Sequence, residues 1–244
     1  MVTRARTNGA RLTLLGTFEL ECAGAPVRLP MSAQRLVAFV ALHEHPVLRA
    51  YAAGSLWPET SEERAHANLR SALWRLHRCG HRVIDATGDQ LRLGKDVRID
   101  LRETEVLVRR ALLGDAGGGT DLELELSALA GDLLPDWYEE WVLLERERFR
   151  ALRLRALDAL CERLILAGRL DDALEAGHAA VAGEPLRESA HRALVRVHLA
   201  EGNTGEAVRQ YRLFRRLLRE HLGLEPSGRM EELMRSIATM DSVR

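Results

Sequence analysis

The chain has 244 residues, of which 46% are hydrophobic and 5% aromatic, with a formal net charge of -1. That length supports one large or two ordinary domains with a real core, and the near-neutral balance excludes a uniformly basic nucleic-acid coat or an acidic tail. The charge is uneven: residues 1–100 carry 14 basic and 10 acidic side chains (+4), residues 101–244 carry 21 and 26 (-5), which predicts two domains with different partners.

The opening MVTRARTNGARLTLLG has basic residues but no apolar h-region, so no secretory signal is expected. No uncharged apolar run approaches ~18 residues, so no membrane span is expected either, and the location read from the chain is cytoplasmic. Cys22, Cys79 and Cys161 are widely spaced and odd in number, which suits a reducing compartment and offers no disulfide framework. Lys95 is the sole lysine among 35 basic residues, a bias ascribed to GC-rich codons rather than to function.

RLTLLGTFELEC and PVRLP have β character around a turn at AGAP, Ala23–Pro26. SAQRLVAFVALHEH starts at Ser32, a good N-cap, and sets Leu36, Val37, Phe39 and Val40 along a helix. RAYAAGSLWP is a shorter helix stopped by Pro58. ETSEE is a polar loop with Thr60 or Ser61 available to cap the next helix, ERAHANLRSALWRLHRCG. After it, β-rich runs at Val83–Ile84, Leu91–Leu93 and Val97–Ile99 flank the turn signal Thr87-Gly88-Asp89. Residues 10–100 therefore read as strands, three helices and a hairpin.

From residue 101 the pattern is helical. DLRETEVLVRRALLGD is one helix, AGGGTD a flexible link, and ELELSALAGDLLPDWYEEW a short helix and a loop closed by Pro135. A long amphipathic helix then ends at Gly168. AGRLDDALEAGHAAVAGEP aligns with EGNTGEAVRQYRLFRRLL: Gly168 to Gly202 and Ala173 to Ala207 are both 34 residues, the period of a tetratricopeptide helix pair. Small residues at these four positions predict close helix approach, and the flanking helices would extend the stack.

The third helix has two occupied faces. At 100° per residue Ala65, Leu69, Ala72, Leu73 and Leu76 form an apolar stripe. Arg64, Ala67, Ser71, Trp74 and Arg78 project opposite, with Asn68 and Arg70 on the shoulders. Cations, small residues and hydrogen-bonding groups on one exposed face suit a helix in a major groove, where Arg reads guanine or clamps phosphate and Asn reads adenine. The bland reading is a solvated face in an arginine-rich protein. A short helix and turn before it and a hairpin after it make a helix-turn-helix with a wing, which favours DNA. Arg75 adds a further cation, and the hairpin offers Arg92 and Lys95.

LWPETSEERAHANLRSALWRL, the preceding SAQRLVAFVAL and the opening LTLLGTFEL resemble the winged-helix domain of the SARP/AfsR family of bacterial transcription activators. LLPDWYEEWVLLERERFRALRLRALDAL and the repeat through EHLGLEPS are similar to that family's bacterial transcriptional activation domain. The resemblance covers about residues 10–238 and implies an α+β then all-α chain. It has an OmpR-type winged helix-turn-helix with a β-sheet scaffold over residues 10–100, and tetratricopeptide-like helices over 101–240. It further implies a regulator without cofactor or enzymatic activity that binds direct repeats in promoter DNA near the -35 element and recruits RNA polymerase holoenzyme for a biosynthetic gene cluster. The third helix would enter the major groove, the hairpin would be the wing, and the loop Glu59, Thr60, Ser61, Glu62 would lie near the sigma factor. Whether copies pair as a homodimer in solution or only on adjacent repeats stays open. His66 and His77 stand where the family commonly has arginine, and Leu91 where the wing often has an aromatic residue.

Other constellations point away from chemistry. HRCGH brings His77, Cys79 and His81 close, but no second cluster completes a four-ligand zinc site. GDQLRLGKD has the wrong glycine spacing for a phosphate loop and Asp96 where a Ser/Thr would hold magnesium. Asp171–Asp172 and Glu139–Glu140 sit at helix starts, where carboxylates favour the dipole. Trp137, Tyr138 and Trp141 read as packing residues joining the two domains. The competing functional classes are a helical-repeat adaptor whose winged domain binds protein, and an enzyme or small-molecule sensor.

Overall fold

The computed structural model describes residues 9–78, 82–113, 126–129 and 131–241. The chain forms two compact units. One takes the chain up to Glu105 together with Gly131–Phe149, and the other takes Val106–Ala130 and the chain from Arg150 on.

In chain order the first unit holds β1 (Ala10–Thr13), β2 (Glu19–Cys22), β3 (Ala25–Pro26), α1 (Met31–Leu42), β4 (Val47–Leu48), α2 (Arg49–Leu56), α3 (Glu62–Arg78), β5 (Ile84–Thr87), β6 (Gln90–Leu93) and β7 (Val97–Ile99). Next comes the start of α4 (Asp100–Leu113). One sheet runs β3-β2-β1-β7, with β7 parallel to β1, and a second runs β4-β6-β5. The β2–β3 turn places Ala23 at φ 52° and Gly24 at φ 80°, the two left-handed residues that match a tight hairpin to strand twist.

β7 leaves the hairpin of β5 and β6 and pairs with β1, and Asp100 fastens the join: its carboxylate accepts the N–H of Leu14 at 2.9 Å, of Leu15 at 2.9 Å and of Leu101 at 2.7 Å. Burial raises the Asp100 pKa above the usual carboxylate value, opposed by those three N–H groups and by Arg11. The cap expected from Ser32 is not used. The cap falls two residues earlier on Pro30, whose carbonyl accepts the N–H of Ala33 and Gln34, so proline's fixed φ sets the helix entry without a side-chain cap.

α1 is the centre of this unit: Ala33 and the seven consecutive residues Leu36 through Leu42 are buried. The PDWYEEW stretch closes that core, with Trp137 and Trp141 packed on residues of the first unit. Leu134 N donates to Leu14 O at 2.9 Å, and Gly16 N to Asp132 O at 2.8 Å. Trp137 stacks on Phe18 (5.8 Å, 21°), Trp141 meets Phe39 edge-on (5.2 Å, 84°), and Glu139 pairs with Arg35 at 2.8 Å. Arg146 bonds the carbonyls of Leu133 and Trp137, each at 2.7 Å, and that of Leu134. Tyr138 points outward, 79% exposed.

The long helix α5 (Glu140–Leu166) gives its first turns to this unit and the remainder to the second. There it is followed by α6 (Leu170–Gly183), α7 (Glu188–Ala200), α8 (Thr204–Leu222) and α9 (Gly228–Asp241). The 34-residue repeat is a repeat of geometry. Gly168 N bonds Ile165 O and Arg169 N bonds Leu164 O; Gly202 N bonds Leu199 O and Asn203 N bonds His198 O. These are the same two-bond helix stop, with glycine left-handed at φ 72° and 77°. Gly168 and Gly202 thus make turns, with open space where a Cβ would sit. Close approach belongs to the fully buried Ala173 and Ala207 and to Gly177, where an added Cβ would lie 2.5 Å from Leu194 Cδ2.

The second core gathers Leu157, Leu160, Cys161, Leu164, Ala176 and Ala180, and a smaller cluster joins Phe214, Leu218 and Met230. His191 is fully buried there, stacked on Phe214 at 4.5 Å. Its Nε2 lies 2.9 Å from Pro185 O and its Nδ1 2.8 Å from Gln210 Nε2, which fixes a neutral ring donating from Nε2 and accepting at Nδ1. Burial lowers its pKa below the usual imidazole value. The architecture is α+β followed by all-α: a winged helix-turn-helix with a β scaffold, then tetratricopeptide-like helices.

Candidate nucleic-acid interface

α3 is built for its position. Glu62 and Glu63 in the first turn and Arg75, His77 and Arg78 in the last complement the helix dipole. Ala65, Leu69, Ala72, Leu73 and Leu76 are buried, the stripe expected from the periodicity, and they pack α3 on α1 and α2. At about 25 cal/mol per Å² such burial fixes the rotation of the helix, and hence the residues that face away.

Those residues are Arg64, Arg70, Ser71, Trp74, Arg75 and Arg78, all exposed, with Ala67 and Asn68 half-buried on the flank. Trp74 is 58% exposed, and the Arg78 guanidinium carbon lies 4.8 Å from its ring centroid. The indole therefore holds one guanidinium over its face. Among the described residues neither Arg64 nor Arg70 has an ion pair.

Cys79 and His81 of the HRCGH stretch lie outside the described residues; His77 Nδ1 is 2.8 Å from Leu73 O. Beyond them β5 and β6 form a hairpin on a two-residue turn with Gly88 at φ 59°. Leu91 is fully buried against Val47 and Ala86, while Arg92 faces out opposite Asp85. Lys95 is exposed in the turn before β7. Gly94 has a packing reason: a Cβ there would lie 2.2 Å from Arg82 O. The GDQLRLGKD stretch is thus a hairpin with a close strand crossing.

The loop before α3 presents exposed Glu59 and Ser61, while Glu62, expected in that loop, is the exposed first residue of α3. Thr60 is half-buried, and its hydroxyl donates to Trp57 O at 3.0 Å, so it shapes the loop; Ser61 O accepts Ala65 N at 2.8 Å and begins the helix. Between this loop, α2 and α3 lies an open recess of about 250 Å³ lined by Ala53, Gly54, Trp57, Pro58 and His66.

Two further titratable groups have structural roles. Asp172 pairs with Arg169 at 2.6 Å at the start of α6. Cys161 donates to Ala173 O at 3.3 Å, and burial, reinforced by Glu162 and Asp158, pushes its thiol up to about 12, a packing residue rather than a nucleophile. Among the described residues no group of three His, Cys, Asp or Glu side chains converges on a metal position, and no helix is long and apolar enough to cross a membrane.

A winged helix-turn-helix with an arginine-bearing third helix, joined to tetratricopeptide-like helices, defines the class of winged-helix transcription regulators. The chain belongs to the Bacterial transcriptional activator domain family, whose profile matches residues 99–238, and its architecture is that of SARP/AfsR-type activators. Mycobacterium tuberculosis EmbR, solved in complex with a low affinity phosphopeptide, shares the fold at a TM-score of 0.76 and 21% identity. The alignment covers 95% of this chain and 65% of that one, so the chain spans less than two thirds of EmbR. No curated protein matches the chain.

Proposed function

We propose that the protein is a sequence-specific DNA-binding transcription activator. Residues 10–100 bind promoter DNA as direct repeats near the -35 element, and residues 101–240 form the activating helices. α3 lies in the major groove, with Arg64, Asn68, Arg70 and Ser71 reading bases or phosphates near its start and Trp74, Arg75 and Arg78 continuing the contact. Arg92 and Lys95 touch the backbone beside the hairpin. The Glu59–Glu62 loop meets the sigma factor of RNA polymerase holoenzyme, copies pair on adjacent repeats, and the regulated genes form a biosynthetic cluster.

The observation that carries this reading is the outward face of α3: exposed arginines and an exposed tryptophan stand opposite an apolar stripe that is wholly buried. Burial on one side fixes the helix, and the polar side is free to enter a groove. The test is a footprint on DNA upstream of the protein's own gene cluster, with and without polymerase holoenzyme. Protected direct repeats, strengthened by polymerase, are the expected result. A folded protein that protects nothing at low salt would convert the same face into a protein-binding surface and favour the adaptor reading.

A further inference from the structure

The outward face of α8 carries an unbalanced run of arginines. Its inward side is set by Ala207, Phe214 and Leu218, all buried. Opposite them Arg209, Arg212, Arg216 and Arg219 fall within an arc of about 80° and along about 15 Å of helix, and all four are exposed. Arg215 stands at the margin. Glu206 pairs with Arg209 at 3.0 Å, and Glu225, just past the helix end, takes both Arg215 and Arg219. Among the described residues Arg212 and Arg216 have no hydrogen bond or ion pair.

Arg212 and Arg216 are one turn apart, and Arg209/Arg212 and Arg216/Arg219 are three apart, whereas Glu225 bridges Arg215 and Arg219 and Glu220 stands one turn beyond Arg216. Each such like-charged pair opposes the helix by about 0.2–0.5 kcal/mol. An exposed face that keeps this local conflict, in a chain of net charge -1, is suited to an external anion. The exposed large apolar side chains of this helix, Leu213 at 37% and Leu222 at 52%, stand at the edges of the arginine face, which has no apolar or aromatic anchor at its centre of the kind protein interfaces carry beside their arginines. Phosphates along a nucleic-acid backbone need only guanidinium forks free to turn.

We propose that the α8 arginine face is a second nucleic-acid contact, taking backbone phosphates of duplex DNA without reading bases, with Arg212 and Arg216 as its principal ligands. It rests on the DNA-binding reading above but uses a different unit of the chain. The test measures the salt dependence of full-chain binding to a long random-sequence duplex. For Arg212→Gln/Arg216→Gln the log–log slope should become shallower by about 1.8, at about 0.9 per phosphate released. Arg212→Lys/Arg216→Lys should keep it, and thermal unfolding should be unchanged in both.

Arg64→Gln/Arg70→Gln tests the α3 site separately. If it leaves the slope intact while the α8 variant flattens it, the α3 assignment fails and the α8 proposal stands. An unchanged slope and affinity for Arg212→Gln/Arg216→Gln would overturn the α8 proposal. So would intact DNA binding with lost polymerase-dependent transcription, which would make the face a dock for an acidic protein segment.

Discussion

Replacing Trp74 with alanine separates the two faces of α3. The side chain is 58% exposed and lies opposite the buried stripe, so its removal opens no core cavity. What folding loses is the contact with Arg78 at 4.8 Å, worth about 0.5–1 kcal/mol at an exposed site. Alanine's higher helix propensity returns up to about 0.5 kcal/mol. The net change in stability should be within about 0.5 kcal/mol, a shift in melting temperature of roughly 1–4 °C. Binding loses the indole surface and the ordering of Arg78. If the groove covers about 40–80 Å² of the exposed indole, at about 25 cal/mol per Å² the loss is about 1–2 kcal/mol, and affinity should fall roughly 5- to 30-fold. Urea unfolding and fluorescence anisotropy on a labelled duplex measure the two quantities independently. Unfolding of the variant, or a stability loss above about 2 kcal/mol with affinity retained, would refute the assignment of Trp74 to the DNA face.

Three further outcomes follow from the packing. Gly177→Ala would push a Cβ to 2.5 Å from Leu194 Cδ2 and should destabilise the helical unit by about 1–3 kcal/mol; a neutral change in urea midpoint would contradict the close α6–α7 crossing. His191 is buried neutral with a lowered pKa, so the unfolded chain binds a proton first as pH falls. Its contribution is present above the unfolded value near 6.5 and is lost as pH drops through the folded one; unfolding curves at pH 7 and pH 5.5 should show a steeper loss for the wild type than for His191→Gln. Asp100→Ala would strip the acceptor from Leu14 and Leu15 N–H and should cost about 2–4 kcal/mol in chemical denaturation.

Much of the site could be read in the sequence because its signals are local. The buried stripe of α3 follows from residues three and four apart, the hairpin from Gly88 between β-rich runs, and the helical repeat from glycines at matching positions. Each depends on backbone geometry within a turn or two. The tertiary structure decided what depends on distant partners. β7 pairs with β1 across more than eighty residues, and Asp100 satisfies two N–H groups at the end of β1. β4 was not expected because two residues carry no periodicity, and only β6 supplies its hydrogen bonds.

Gly168 and Gly177 look alike in sequence. One makes a left-handed turn and the other admits Leu194, and only the neighbouring helix distinguishes them. The aromatic PDWYEEW stretch announces burial but not its address, which Phe18, Phe39 and Arg35 supply. The α8 arginines were visible as composition alone. Their meaning as a surface required knowing that Phe214 and Leu218 face inward and that Glu225 returns past the helix end to engage Arg215 and Arg219, leaving Arg212 and Arg216 without a carboxylate among the described residues. Sequence determined which faces of each helix are apolar, because helical periodicity is a property of the chain itself. Which face meets which partner was settled by long-range packing, because burial energy depends on the surface that covers it.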